Sequence, residues 1–135
     1  MMPQANYSPA TPRHVFVYGT LRAGGSNDIT RWRPSAQFVS TAEIAGTLYD
    51  LGAYPGATLG GTARVRGEVY RIEPALEAQL DQLEEVLPDE QGEYFKREIA
   101  VWVGRQRIDC LVYEINPSRL SGRGVIPSGD WLRRG

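Results

Sequence analysis

The sequence contains few of the side chains that bind metal ions. Cys110 is the only cysteine and His14 the only histidine among 135 residues. One cysteine cannot form an intramolecular disulfide or a cysteine-rich zinc site, and one histidine cannot build a site from several histidines. We therefore expect a protein that binds no metal ion.

Long apolar runs and an excess of one charge sign are also missing. No apolar run approaches the roughly 20 residues that cross a bilayer, and residues 1–14 lack an apolar core of signal-peptide length. The net charge is −1, and the two short basic patches, Arg64/Arg66 and Arg133-Arg134, are not interleaved with aromatic residues. We expect a cytoplasmic protein that binds neither membranes nor nucleic acid.

The composition is typical of one soluble globular domain. Hydrophobic residues make up 41% and charged residues 23% of the 135-residue chain, a length that suits one domain. Residues 1–12 are rich in Pro, Ser and Asn and show no hydrophobic periodicity, so we expect them to form a disordered leader. Residues 13–135 are expected to form a single domain.

Alternating and β-branched segments indicate a sheet of about six strands. The clearest predicted strands are residues 14–18, 37–50, 65–72, 94–103 and 107–115. A loop is predicted over 52–61, a hairpin loop at 104–106, and one helical turn capped by Ser26 or Asn27 within 22–35. The tail from residue 121 is expected to be irregular.

One helix is predicted, over about residues 74–87. Pro74 suits a first helical position, and Leu76, Leu80, Leu83 and Leu87 recur at the 4, 3, 4 spacing of one helical face. A mixed, barrel-like sheet with this helix packed beside it makes an α+β domain.

The end of the first predicted strand is a candidate binding element. An apolar strand ends at Tyr18-Gly19-Thr20-Leu21, where glycine permits a tight turn and close approach of a ligand. Peptide N–H groups left unpaired at such a turn suit a carboxylate or an oxyanion. An ordinary strand followed by a turn is the alternative.

Glu84 is the acidic residue of the helix that we expect to be half-buried. It lies about 70° from the centre of the leucine stripe, whereas Asp81 lies about 130° and Glu85 about 170° away. Glu77 lies about 90° away, near the helix start, where the helix dipole favours carboxylates. Half-burial raises a carboxyl pKa towards the value that suits a general base. The alternative is a boundary residue with its carboxylate in water.

Several segments, taken together, resemble the γ-glutamylcyclotransferase-like family. Tyr18-Gly19-Thr20-Leu21-Arg22-Ala23-Gly24 resembles the family signature. The other similar segments follow in the family's order, at residues 46–56, 65–70, 80–84, 94–97 and 128–131. The resemblance covers about residues 14–131, nearly the whole predicted domain.

The resemblance implies a compact barrel-like α+β fold and an enzyme acting on a small γ-glutamyl substrate. In this family the α-amine of the substrate attacks its own γ-carbonyl, which releases an amine and 5-oxoproline. Tyr18, Gly19, Thr20 and Leu21 would bind the glutamyl end through backbone groups, and Glu84 would be the general acid/base. This chemistry requires no cofactor.

One departure and several alternatives remain open. Many relatives have glycine directly after the catalytic Glu, whereas this chain has Glu85. We expect Glu85 to face outward on a helix that continues for another turn. A non-catalytic binding protein of the same fold is the alternative function. The identity of the γ-glutamyl compound and the oligomeric state stay open.

Overall fold

The protein is a curled six-stranded sheet with one α-helix. The computed structural model describes residues 11–84 and 92–134. Their strands are β1 (Arg13–Val17), β2 (Gln37–Asp50), β3 (Pro55–Ile72), β4 (Tyr94–Val103), β5 (Gln106–Ile115) and β6 (Gly124–Val125), and helix α1 is Pro74–Leu83. Short 3-10 turns lie at Ile29–Arg31, Pro117–Arg119 and Trp131–Arg133. The expected α+β class with a barrel-like sheet is confirmed.

Strand β1 lies in the middle of the sheet because its side chains are apolar on both faces. The strand order is β4-β5-β1-β3-β2-β6, and β1 pairs parallel with β5 and antiparallel with β3. Val15 and Val17 enter one hydrophobic core, whereas Phe16 enters a second core on the opposite face. The end of β1 therefore lies at the centre of the domain.

The long β2–β3 hairpin curls the sheet into a half-barrel. Its register shifts between Phe38 and Ser40 and again between Ala45 and Gly46, and such irregularities bend a strand. Strands β2 and β4, which lie near opposite edges of the sheet in the strand order, come into contact. The curl leaves room at the end of β1 for helix α1 on one side and the β2–β3 loop on the other.

Helix α1 differs from the prediction at its C-terminal end. Leu76 and Leu80 are fully buried in the core, as the leucine stripe predicted, but Leu83 is 37% exposed. The helix ends at Leu83, and the N–H of Glu84 donates to the carbonyl oxygen of Leu80 (2.9 Å). The predicted end at residue 87 was too late, and residues 85–87 lie outside the described residues.

Two predicted connections were also wrong. Strand β3 begins at Pro55, so the predicted loop over 52–61 is mostly strand. Gly60 and Gly61 have positive φ and lie opposite the second register shift, within the continuous hairpin. The turn within 22–35 is the 3-10 turn at Ile29–Arg31, and its cap is Asp28, whose Oδ1 accepts from the N–H of Thr30 (2.9 Å).

A buried ion cluster holds the chain that follows β1. The Arg22 guanidinium donates from Nε to Glu68 Oε2 (2.8 Å) and from Nη1 to Asp130 Oδ1 (2.7 Å). Glu68 Oε1 also accepts from the Ala23 N–H and the Tyr70 hydroxyl, both at 2.9 Å. Arg22 thereby connects the turn after β1 with β3 and the C-terminal tail.

Replacing Arg22 with Met should strongly destabilise the fold. The substitution keeps side-chain volume but leaves the carboxylates of Glu68 and Asp130 buried without their cation, which costs about 3–5 kcal/mol. Urea denaturation measures the loss. Arg107→Met is the control, because the Arg107–Asp109 pair is exposed on both sides (62% and 59%) and should contribute less than about 1 kcal/mol. Equal losses in the two variants would contradict this account.

Candidate functional site

A cavity of about 350 Å³ opens where β1 ends. Its lining comes from the end of β1 and the following turn, the β2–β3 loop, the end of α1 and the start of β4. The lining residues are Phe16, Val17, Tyr18, Gly19, Thr20, Leu21, Ser26, Asn27, Ala53, Tyr54, Pro55, Leu83, Glu84, Glu93, Tyr94 and Tyr113. The structure thus brings together all five site residues that the sequence predicted: Tyr18, Gly19, Thr20, Leu21 and Glu84.

The turn after β1 lines this cavity and contains peptide N–H groups that have no hydrogen-bond acceptor among the described residues. The carbonyl oxygens of Gly19 and Thr20 accept from the N–H groups of Arg22 (3.1 Å) and Asn27 (2.9 Å). In contrast, the hydrogen bonds within residues 11–84 and 92–134 include none donated by the N–H of Gly19, Thr20 or Leu21. Adjacent unpaired N–H groups form a site suited to an anionic oxygen.

Gly19 is required by the close packing of this turn against the β2–β3 loop. A Cβ atom at Gly19 would lie 2.7 Å from Cγ of Pro55, closer than two carbon atoms can approach. Pro55 begins β3 and itself lines the cavity. Two walls of the cavity therefore touch at a position that only glycine allows.

The Tyr18 hydroxyl is engaged inside the fold. The Tyr18 hydroxyl donates to the carbonyl oxygen of Tyr113 (2.6 Å) and accepts from the N–H of Ala57 (3.1 Å). Burial raises the pKa of this hydroxyl well above its ordinary value. The side chain joins β1, β3 and β5, and its hydroxyl is already used there.

The Glu84 carboxyl has no cationic partner within residues 11–84 and 92–134. No ion pair or side-chain hydrogen bond among the described residues involves its oxygens. Glu84 is half-buried. Burial, together with the nearby charge of Glu93, raises the pKa of Glu84 from 4.5 to about 8. The cavity therefore contains a carboxyl group that exchanges its proton near neutral pH.

The other two acids of α1 are paired, which the helical geometry did not predict. Glu77 is 8% exposed and forms ion pairs with Arg13 (2.6 Å) and Lys96. Asp81 accepts from Lys96 Nζ (2.8 Å) and from the Tyr113 hydroxyl (2.7 Å), so it does not point away from the sheet as expected. Burial alone would raise the pKa of Glu77, but hydrogen bonds from Arg13 and Lys96 outweigh it and lower that pKa.

Three titratable residues of the cavity lining were not singled out from the sequence as site residues: Tyr54, Glu93 and Tyr113. Tyr54 and Glu93 both line the cavity, and the Tyr54 hydroxyl donates to Glu93 Oε2 (2.5 Å). Tyr94, weighed as either a lining or a packing residue, is both, because it lines the cavity while its hydroxyl donates to the Pro55 carbonyl oxygen (2.6 Å). Glu93 carries no local signal, since it stands in an acidic segment before β4. Glu85 lies outside the described residues.

Two searches of residues 11–84 and 92–134 gave negative results. No group of three or more His, Cys, Asp or Glu side chains is placed to hold a metal ion. No helix there has the length and apolar character that crossing a membrane requires.

Known proteins are similar to this chain in sequence and fold. A family described as "Gamma-glutamyl cyclotransferase, AIG2-like" matches residues 15–133. Gamma-glutamylcyclotransferase family protein YtfP of Escherichia coli strain K12 is 39% identical over 121 residues, which cover 89% of this chain and 96% of that protein. The solution NMR structure of ytfP from Escherichia coli matches with a TM-score of 0.62 at 36% identity, covering 89% of this chain and 96% of that one.

A further relative has a more specific name. Gamma-L-glutamyl-butirosin B gamma-glutamyl cyclotransferase of Niallia circulans is 34% identical over 122 residues, which cover 88% of this chain and 70% of that protein.

Replacing Glu84 with Gln should stabilise the fold above acidic pH. Folding raises the pKa of the Glu84 carboxyl from 4.5 to about 8. The wild-type protein therefore has its full free energy of unfolding below pH 4.5 and loses part of it as the pH rises towards 8. Gln does not titrate, so the two proteins should match at about pH 4 and differ by about 2–4 kcal/mol at about pH 8.5. Urea denaturation across this range measures the difference. A constant difference at all pH values would contradict the raised pKa.

Proposed function

Because the chain belongs to the gamma-glutamyl cyclotransferase, AIG2-like family, we propose that it cyclises a γ-glutamyl amine or γ-glutamyl amino acid to 5-oxoproline. The observation that carries this proposal is the shared cavity. Glu84 lines the same cavity as Gly19, Thr20 and Leu21, and among the described residues neither its carboxyl nor their N–H groups have a hydrogen-bond partner. The name of the Niallia circulans relative supports a γ-glutamyl substrate.

The proposed reaction takes place within one substrate molecule. The α-nitrogen bonds to the γ-carbonyl carbon, and the bond from that carbon to the leaving nitrogen breaks. The attacking nitrogen gives up two protons as an ammonium becomes a lactam N–H, and the leaving nitrogen gains two as it departs as an ammonium. A single carboxyl that alternates between base and acid can carry each proton in turn.

Glu84 fits this role because of its pKa. An α-amino group has an ordinary pKa of about 8, and burial followed by the charge of Glu93 raises the pKa of Glu84 to about 8. Proton transfer between groups of matched pKa is nearly free of thermodynamic cost, whereas an ordinary carboxylate would be too weak a base.

The turn after β1 fits the negative charges of the substrate. The γ-carbonyl oxygen becomes anionic when the α-nitrogen adds to it, and the α-carboxylate is anionic throughout. Unpaired N–H groups at Gly19, Thr20 and Leu21 would donate to such oxygens without needing to reorganise. Fixing the amine against the carbonyl in one cavity would itself accelerate the cyclisation.

Replacing Glu84 with Gln should abolish turnover while the protein stays folded. Removing a general acid/base costs about 10²–10⁴-fold in rate, so kcat/KM for 5-oxoproline release should fall by at least about 100-fold. Mass spectrometry of products from a panel of γ-glutamyl amides and amino acids measures it.

Glu73→Gln is the matched control, since Glu73 is an exposed acid that precedes the same helix. It should retain wild-type activity. Full activity of the Glu84→Gln protein would remove the proposed base. If γ-glutamyl compounds stabilise the wild-type protein against heat and no product forms, the protein is a non-catalytic binding member of the fold.

A further inference from the structure

Glu93 is a second carboxyl in the cavity, and the reaction as proposed does not use it. It directly precedes β4 and is half-buried. The Tyr54 hydroxyl holds Oε2 of Glu93 (2.5 Å). No residue in the described ranges donates a hydrogen bond to the other oxygen, Oε1. Glu93 thus has a fixed orientation and one oxygen available to a ligand.

The cavity has no basic side chain to balance its two carboxyls. None of the lining residues, all within 11–84 and 92–134, is Lys, Arg or His. The remaining residues, 1–10, 85–91 and 135, contain no Lys, Arg or His at all. No basic side chain of this chain can therefore neutralise Glu84 or Glu93 in the cavity. The field of Glu93 reaches Glu84, because it adds to the effect of burial on the pKa of Glu84.

We infer that Glu93 makes the cavity selective for γ-glutamyl derivatives of diamines and other amines that carry a second, positively charged group. This inference rests on the proposed cyclotransferase function and concerns the leaving half of the substrate. A cationic group there would meet Glu93 Oε1, and a hydrogen bond between an ammonium and a partly desolvated carboxylate is among the stronger polar contacts.

The leaving group is a better partner for Glu93 than the α-ammonium of the glutamyl half. The α-ammonium must lose its proton before the nitrogen can attack, and Glu84 is the proposed acceptor. A second carboxylate on the same ammonium would favour its charged form and oppose that step. The α-carboxylate is also excluded as a neighbour of Glu93 by like-charge repulsion, which leaves the far part of the substrate.

The same charge should act against acidic leaving groups. A γ-glutamyl amino acid or peptide would bring a second carboxylate into a cavity that already contains Glu84 and Glu93 and no cation. Specificity often depends on such built-in repulsion as much as on attraction. The family resemblance leaves open whether the substrate is a γ-glutamyl amine or a γ-glutamyl amino acid. The negative charge of the cavity lining favours the amine.

Three γ-glutamyl amides of equal length test the inference. Their leaving groups are 1,4-diaminobutane, n-pentylamine and 5-aminopentanoate, which differ only in whether the far end is cationic, neutral or anionic. For the wild-type protein, kcat/KM should be highest for the cationic amide and at least about tenfold lower for the anionic one. The preference should shrink as salt is raised, because the interaction is electrostatic.

Glu93→Gln should reduce this preference, which is measured as kcat/KM relative to the neutral amide, because losing the charge of Glu93 also lowers the pKa of Glu84 for all three substrates. Gln keeps an oxygen for the Tyr54 hydroxyl but removes the charge, so relative to the neutral amide kcat/KM should fall about tenfold for the cationic amide and rise for the anionic one. Glu98→Gln is the matched control, since Glu98 is an exposed acid on β4 outside the cavity lining. It should change none of the three values.

The outcomes separate this inference from the proposed function. Turnover of all three amides at similar rates, or an equal loss for all three in the Glu93→Gln protein, would overturn the inference and leave the cyclotransferase intact. Equal loss would mean that Glu93 acts on the shared glutamyl half or through the pKa of Glu84. No turnover of any amide by the wild-type protein would contradict the proposed function itself.

Discussion

The ion cluster around Arg22 is the contact on which the site's geometry depends. The guanidinium is 8% exposed and bonds to Glu68 on β3 and to Asp130 in the tail, so it ties the end of the β1 turn to two distant parts of the chain. Replacing such a cluster with apolar residues often costs no stability, whereas removing one member does. Its contribution here is geometric: it fixes the residue that directly follows the peptide groups of Gly19, Thr20 and Leu21.

Buried acids in this fold fall into two kinds, and the difference lies in whether a cation accompanies them. Glu68, Asp130 and Glu77 each have an arginine or lysine partner. Glu84 has none among the described residues, and burial raises its pKa to about 8, with Glu93 adding to the shift. Among the described residues, the fold thus pairs its structural carboxylates with cations and leaves the two carboxyls of the cavity, Glu84 and Glu93, without one; the cavity is where the proposed proton transfer would occur.

The local sequence predicts the strands, the start of the helix and the candidate base, because these depend on patterns within a few residues. The β2 and β4 bounds, 37–50 and 94–103, match the alternation. The pairing of Asp81 could not be predicted, since it depends on Lys96 and Tyr113 from distant strands. Gly60 and Gly61 indicated a loop, but in the structure their positive φ angles occur at a register shift inside the long β2–β3 hairpin. Glu93 enters the cavity only through the curl of the sheet.

If Glu84 is the base, its raised pKa limits how the cavity can bind the anionic end of the proposed substrate. An arginine or lysine beside the glutamyl α-carboxylate would be the usual way to bind it, but in a cavity of this size that cation would also lie near Glu84. An opposite charge within about 4–6 Å lowers a carboxyl pKa by 1–3, which would end the match with the α-amine. Peptide N–H groups carry only partial charges, so they can bind an anion with less effect on the neighbouring acid. If Glu84 is the base, a turn with unpaired amides is therefore the form of anion site that is compatible with it.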